Sequence, residues 1–542
     1  MNQSTEKAVA ISMDKELVEA AKMFQVQARE ASNKFNEEYN SSKMDTMIHR
    51  FPPGLREIIS RGYKFMVVPT FVAIGPYHHG KEHLEKMEAV KKAAARYLWE
   101  RSQKLEQAVK NAAAYYYLCQ SKGSGENLAL DGLDDATKAV VLAVNDARGS
   151  YFADETGEGM SVTKDSARFA EMIICDACFL LLYMEAYVRS YGGEEAADDE
   201  VNESMRRFLF GNRHRINNDV MLLENQVPWR VIRVLMDLGS DLWLKGSVQH
   251  FVAAMASSFK IRESSELELY EWDDEKNPPP HLLALLRLHK IEEPNKSIHR
   301  AAEPGGGTAS VDDGGDVENA LQDPLINRDG TQPPSTSSTA TQQAGNRQVV
   351  VSAISPRELQ EIGIKLTANK TEAISDMGLE EGWLFFSRIT LAPLSLSDAT
   401  ASWLVNMAAF EVCSASRFGD PPGNTAVCSY LALLAFFMVR SEDVRKLRSM
   451  GLLHGADSDD DTLAFFNTLK KHLPDYGRRF AEVMAGIEEY KHKRRVITTP
   501  YRWVYNNWKT VGAVVSIMIA TATTIAALIN LYKALLSLIH NN

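Results

Sequence analysis

The chain has 542 residues, 45% of them hydrophobic, enough to bury a large core. Its 71 acidic against 60 basic residues leave a formal net charge of −11, which removes the general electrostatic case for a nucleic-acid binder. The five cysteines, Cys119, Cys175, Cys178, Cys413 and Cys428, are too few and too scattered for a disulfide framework.

The first residues, MNQSTEKAVAISMDKELVEAA, carry acids and no apolar stretch, so they do not read as a secretory signal. Leu17, Ala20, Ala21, Phe24 and Ala28 fall near helical spacing, and residues 1–47 read as a helical arm that packs on its own domain or docks on a partner. From Ile48 the composition becomes denser. Pro52, Pro53 and Gly54 mark a turn, Met66 to Ile74 reads as extended, and Gly75 with Pro76 ends that segment. A helix is expected from about Glu82, with Leu84, Met87, Val90 and Ala94 on one face.

Further along, EMIICDACFLLLYM (171–184) reads as a buried helix and GGEEAADDEVNE (192–203) as an acidic surface loop. Residues 292–348, with PGGGTASVDDGGD and TQPPSTSSTATQQAGN, hold too few large apolar side chains to order themselves and read as a disordered insertion. Asp457 to Asp461 reads as a second acidic turn. Strand patterns are few after residue 80 and long apolar-periodic runs dominate. The expected fold is mainly α: a large helical body with a few short strands, the long insertion, and one C-terminal transmembrane helix. The boundaries are 1–47, 48–291, 292–348, 349–495 and 496–542, with the two parts that flank the insertion forming one body.

The anchor is read from Val511 to Leu531, VGAVVSIMIATATTIAALINL; no charge lies between Lys509 and Lys533. About 20 apolar residues at a 1.5 Å rise cover roughly 30 Å, the thickness of a bilayer's hydrocarbon core. Lys491, Lys493, Arg494 and Arg495 form a basic cluster of the kind that stays cytoplasmic, and Tyr501, Trp503, Tyr505 and Trp508 supply rings suited to the headgroup layer. A tail-anchored topology follows as the expectation, with the body in the cytosol and the sequons at Asn40, Asn202, Asn295 and Asn369 unused. The plasma membrane and the endoplasmic reticulum both stay open. The basic cluster also admits a reading as a binder of anionic headgroups.

Three constellations invite chemistry. His78, His79 and His83 with Glu82 suggest zinc, but there is no HExxH and no complete ligand set, and a turn shaped by Gly75, Pro76 and Gly80 accounts for them better. Cys175 and Cys178 form a CxxC inside an apolar run, where both thiols read as buried small hydrophobes rather than a redox pair. Glu224, Asn225 and Gln226 lie in an apolar run just before Pro228, which is expected to break a helix and free a carbonyl for an amide to bind, a buried polar clasp. No GxSxG, P-loop, dinucleotide fingerprint or kinase motif occurs. No catalytic residue, metal ligand or cofactor is assigned, and the alternative of an enzyme with a site near GPYHHG and LENQ is kept.

The string IGPYHHGKEHLEKMEAVKKAAARYL (74–98) resembles the opening of the plant family known as DUF247, or UPF0481. The likeness continues through EMIICDACFLLLYM, NDVMLLENQVPWRVIRVLM (218–236), PHLLALLRL (280–288), SPRELQEIGIKL (355–366), LAPLSLSDATASWLVNMAAFEVC (391–413), SEDVRKLRSMGLL (441–453) and LAFFNTL (463–469). On that resemblance the motif residues are Gly75, Pro76, Tyr77, His78, His79 and Gly80, then Asp176, Cys178 and Phe179, then Asp219, Leu223, Glu224, Asn225, Gln226 and Pro228. Ala177 stands where the family pattern has Gly, and Trp229 and Arg230 where it has aromatic or apolar residues. The family's biochemistry is undefined. The resemblance implies a membrane-anchored plant protein with an unknown protein partner, and a link of some grass members to self-incompatibility points to recognition as its kind of function.

Overall fold

The computed structural model describes residues 48–56, 66–121, 130–151, 163, 165–192, 200–261, 267–273, 278–291, 353–382, 387–414, 422–455, 457–473, 476–493, 503–504 and 507–540. The arm read at 1–47, the insertion at 292–348, residues 193–199 of the acidic loop, and Arg494, Arg495, Tyr501 and Tyr505 lie outside them.

The chain enters at Ile48, which donates its N–H to the Ser150 carbonyl at 3.0 Å and bridges Tyr151. A 3-10 turn at Glu82–Leu84 leads into α1 (Glu85–Glu100). Leu84, Met87 and Ala94 are buried there as the spacing predicts, and Lys91 is buried with them. α2 (Gln103–Ser121) and α3 (Asp135–Gly149) follow. Asp134 caps α3, accepting from the Thr137 N–H at 2.9 Å. The 27-residue helix α4 (Ser166–Gly192) has no proline or internal glycine. Its residues Phe169 to Met184 are almost all buried, because α1, α2, α7 (Trp229–Leu238) and α8 (Leu244–Ser257) pack around it. Between these lie α5 (Glu200–Gly211) and the short α6 (Arg213–Asp219), and α9 (Leu282–Ile291) closes this part. The acidic stretch expected as loop to residue 203 is thus helical from Glu200.

Beyond the insertion, Ser355 and Glu358 form a reciprocal cap on α10 (Pro356–Glu361), with proline in the first turn where its missing N–H costs nothing. Gly363, at φ +89°, turns the chain into β1 (Ile364–Ala368). β2 (Gly378–Glu381) and β3 (Ser387–Leu391) complete a small sheet of order β1-β3-β2, with β1 parallel and β2 antiparallel to β3. β4 (Leu394–Leu396) precedes α11 (Asp398–Ser414). Every residue of α12 (Ala426–Phe437) is buried, because α11, α14 (Asp459–His472) and α15 (Gly477–Lys493) enclose it. α13 (Ser441–Ser449) leads to β5 (Leu453–Gly455), which pairs parallel with β4.

The acidic stretch 457–461 is a helix start rather than a turn: Ser458 accepts from the Asp461 N–H, and Asp459 to Asp461 sit at the positive end of α14. Acids are stabilising there. The architecture is therefore mainly helical with a few short strands. A single apolar cluster runs through the parts on either side of the insertion. Arg287 on α9 donates to Glu411 on α11 at 2.8 and 2.7 Å, and Glu411 also accepts from the N–H groups of Val427 and Cys428 that open α12. α16 (Trp508–His540) begins three residues before the expected span and continues past Leu531.

Candidate functional site

The segment Met66 to Ile74, expected to be extended, forms no strand and joins no sheet among the described residues: it opens on a helical turn at Met66 and Val67, bends through Phe71, and after Val72 to Ile74 enters the turns from Gly75 to Gly80. Its backbone groups need partners all the same. Side chains from distant parts of the chain supply them. Asp219, at the end of α6, accepts from the N–H groups of Thr70 (3.0 Å), Phe71 (2.6 Å) and Val72 (2.9 Å). Asn225 accepts from the Ile74 N–H at 2.7 Å and donates to the carbonyls of Val72 (3.0 Å) and Asp219 (2.9 Å). Asp176 of α4 accepts from the Gly75 N–H at 2.8 Å. Lys91 of α1 donates to the Ala73 carbonyl at 2.8 Å. Asn406 of α11 donates to the Met66 carbonyl at 2.7 Å and accepts from the Leu223 N–H at 2.8 Å. The motif residues of three separate blocks therefore meet on one segment of irregular backbone.

Gly75 is at φ +72°, and a Cβ there would stand 2.7 Å from the Gln226 carbonyl and 2.8 Å from the Tyr151 hydroxyl. Only glycine fits both the conformation and the space. Gln226 donates to the carbonyls of Val220 and Leu222 and accepts from the Leu283 N–H. Asn225 and Gln226 thus bind backbone carbonyls, but not ones freed by a helix break. Pro228 starts α7 as its N-cap; the carbonyls of Val220 and Leu222 belong to the irregular turn after α6, that of Asp219 to the last residue of α6, and that of Val72 to the distant loop segment.

Two ionic clusters flank the loop. In the first, the buried Glu224 accepts from the Phe51 N–H at 2.8 Å and from Arg56, with Arg50 at 3.6 Å and His78 Nε2 at 3.5 Å. Burial pushes the Glu224 carboxyl up, but His78, the Phe51 N–H and Arg56 outweigh it and hold it below its ordinary range. Burial lowers the His78 pKa. Lys81 Nζ sits 2.6 Å from His78 Nδ1; an ammonium only donates, so the ring is neutral and carries its proton on Nε2, toward Glu224. In the second cluster Lys91 Nζ lies 2.7 Å from both Asp176 and Glu88, and His79 Nδ1 lies 3.6 Å from Glu88. Burial pulls the Lys91 ammonium down, yet Asp176 and Glu88 raise it above its ordinary value. Asp219 is pushed up to about 6 by burial, against the pull of the Thr70, Val72 and Phe71 N–H groups.

His78, His79, Glu224 and Asp176 therefore lie near one loop but belong to two clusters. Of the three loop histidines only His83 reaches a loop carbonyl, that of Pro69 at 3.3 Å. Among the described residues no three His, Cys, Asp or Glu side chains are arranged to hold a metal ion. Cys175 and Cys178 are buried in α4, and burial pushes Cys175 up to about 12 and Cys178 well above its ordinary value, so neither forms a thiolate near neutral pH. Tyr77 is buried and donates to the Ile48 carbonyl at 2.9 Å, while Arg50 stacks 3.8 Å over its ring. Pro76, Gly80, Phe179 and Leu223 take part through backbone shape and packing; Phe179 stacks on Tyr183. The residues that depart from the family pattern have partners: Trp229 packs edge-on against Trp272, Arg230 pairs with Asp146, and Ala177 is fully buried.

Lys91, Arg56 and Asn406 belong to the same network and are not among the motif residues named above, although Lys91 and Asn406 lie within the matching strings 74–98 and 391–413. For Lys91 a signal existed: it falls one turn after Met87 on the apolar face of α1, while Asp176 interrupts the apolar run of α4. At the other end of the chain, Lys491 and Lys493 pair with Glu488 (2.6 Å) and Glu489 (2.7 Å) on α15, so the predicted basic cluster is partly neutralised within its own helix. Trp503 and Trp508 are exposed.

A family model described as DUF247, plant protein of unknown function, matches residues 48–522. UPF0481 protein At3g47200 of Arabidopsis thaliana is 23% identical over 460 residues, covering 84% of this chain and 79% of that protein. No solved structure matches the chain at a significant level.

Proposed function

The chain belongs to the DUF247 family of plant proteins of unknown function, and we propose that it is a membrane-anchored recognition protein whose helical body binds another protein. The anchor rests on one contrast. The apolar helix α12 is enclosed on all sides, whereas the 26-residue apolar stretch Trp508–Lys533 of α16 is not buried at all. Leaving some 20 apolar side chains in water forgoes about 1.5–3 kcal/mol each, tens of kcal/mol together. A bilayer removes that cost. Inside the helix, Thr521, Thr523 and Thr524 donate their hydroxyls to carbonyls three or four residues back, which suits a helix in lipid.

A cytosolic body is supported by the basic residues ahead of the span, Lys491 to Arg495, Arg502 and Lys509. It is supported also by the sequon at Asn369. That amide is buried, donates to the carbonyls of Ala373 (2.9 Å) and Asp376 (2.8 Å) and accepts from the Glu372 N–H, leaving no place for a glycan. Recognition is supported by where the polar motif groups are spent. They hold the chain's own backbone, while Tyr117 (71% exposed) and Trp243 (55% exposed) present aromatic surface of the type that dominates protein interfaces. Trp243 also sits in the left-handed region at φ +52°. The second reading, an enzyme near the GPYHHG and LENQ segments, has the His78–Glu224 approach in its favour and the burial of both groups against it.

Protease protection on sealed membranes, with one tag at each terminus, tests the anchor and its orientation. The expected result is a digested N-terminal tag and a protected C-terminal tag, with alkaline extraction releasing only a chain that lacks 508–540. Release of the full chain at alkaline pH would remove the anchor; protection of the N-terminal tag would invert it. For recognition, proximity labelling should lose its enriched proteins in a Tyr117→Ser/Trp243→Gly variant, and an unchanged set would rule those faces out.

A further inference from the structure

Between α2, α3 and the start of α4 lies a cavity of about 310 Å³, at the small end of the range that holds metabolite-sized ligands. Tyr115, Tyr116, Cys119, Asn145, Arg148 and Ser166 line it, and most of the lining is polar. Arg148 reaches no hydrogen-bond or ion-pair partner among the described residues, and its Nε is buried. Arg50 and Arg101, half-buried in the same part of the chain, each meet a buried glutamate, Glu224 and Glu185. The Arg148 side chain is half-buried, with the Phe169 ring 5.8 Å away as its ring contact among the described residues, and its buried Nε calls for an acceptor from outside.

The neighbouring acids among the described residues do not serve. Asp146 pairs with Arg230. Asp165 accepts from the N–H groups of Ala167 and Arg168 at the start of α4 and pairs with the Arg168 side chain at 3.5 Å. Those helix donors are therefore spent, and the positive charge of the described lining is that of Arg148. The other polar groups are donors too. Tyr116 donates to the Asn145 Oδ1 at 2.9 Å or to the Val141 carbonyl at 3.0 Å, which turns the Asn145 Nδ2 amide outward as a donor. Ser166 adds a hydroxyl. Among the described residues no carboxylate lines the cavity.

We propose that this cavity binds a phosphate group, free or carried by a small molecule, with Arg148 as the charge partner, Asn145 and Ser166 as further donors and the Tyr115 and Tyr116 rings as the wall. The inference stands independently of the membrane anchor. The volume exceeds that of phosphate alone, so a phosphomonoester with a small organic group fits the space left beside the rings.

The test is calorimetric titration of the full chain, in neutral detergent at constant ionic strength, with inorganic phosphate and with phenyl phosphate. Saturable binding that Arg148→Gln weakens by about tenfold or more is expected for loss of a charge-assisted pair. Tighter binding of phenyl phosphate identifies an ester as the ligand, and equal binding identifies the free ion. A second measurement needs no variant. Phenylglyoxal modification of Arg148, followed by mass spectrometry, should slow in saturating phosphate while that of the exposed Arg388 does not. No saturable heat, unchanged affinity in Arg148→Gln, or no protection of Arg148 would overturn the proposal.

Discussion

Replacing Lys91 with Met tests whether charge holds the GPYHHG loop in place. Lys91 is 1% exposed, its Nζ is 2.7 Å from Asp176 and from Glu88, and it donates to the Ala73 carbonyl. Methionine fills much the same volume but leaves Asp176, fully buried on α4, with the Gly75 N–H as its remaining hydrogen bond. Removing one partner of a buried pair costs about 3–5 kcal/mol. Adding Asp176→Asn keeps an oxygen for the Gly75 N–H and removes the stranded charge, so the double variant should recover to within about 1–2 kcal/mol of the native chain. Burial raises the Asp176 carboxyl above its unfolded value, an effect that Lys91 opposes in the native chain. A group with a raised folded pKa contributes stability at low pH and loses it as pH rises. The deficit of Lys91→Met should therefore be smaller at pH 4 than at pH 7. Urea unfolding of the full chain in mild detergent, followed by intrinsic fluorescence, measures all three variants. A single variant within about 1 kcal/mol of the native chain, or a double variant no better than the single, would refute the role assigned to the pair.

Asn225→Leu removes the acceptor for Ile74 and the donor to Val72 and Asp219, and should cost about 2–4 kcal/mol; an unchanged melting temperature would dismiss the clasp. The Asp219 carboxyl, raised to about 6, stabilises the fold below the ordinary carboxylate range and loses that contribution as pH rises through 6. The native chain should give up roughly 3 kcal/mol between pH 4 and 7 on this account, and Asp219→Asn should flatten the profile; equal slopes would count against it. Cutting the chain at a protease site engineered within 292–348 should leave the two parts bound through Asn406 and the Arg287–Glu411 pair. Separation of the fragments on gel filtration without denaturant would show the parts to be independent.

Asn225 and Gln226 were readable as hydrogen-bonding groups because amides inside an apolar run must find partners. Which partners they find was not readable. Asn225 meets Val72 across 153 residues of sequence, and no periodicity encodes that distance. Pro228 misled for a related reason: a proline that ends one helix and a proline that caps the next look alike in a string, and the tertiary hydrogen bond from Trp229 to the Pro280 carbonyl accompanies the second arrangement here. The acids at 459–461 read as a turn when judged by polarity alone, yet they complement a helix dipole once Ser458 is recognised as a cap. The segment 66–74 has the composition of a strand but not its course, since it opens on a helical turn and bends before Val72. It lacks a neighbouring strand because Asp219 and Asn225 satisfy the donors that a neighbour would have taken.

Asn406 also sets a schedule for the chain's making. It completes the backbone bonding of Met66, 340 residues earlier, and of Leu223, 183 residues earlier. A ribosome that has delivered the first part has therefore not delivered all of its hydrogen-bond partners. At roughly 5–20 residues per second, Met66 waits tens of seconds for its acceptor to be filled. The hydrophobic helix α16 is made soon after. The body and its apolar helix thus become complete within a short interval of each other, and whatever receives that helix meets a body that has only just closed.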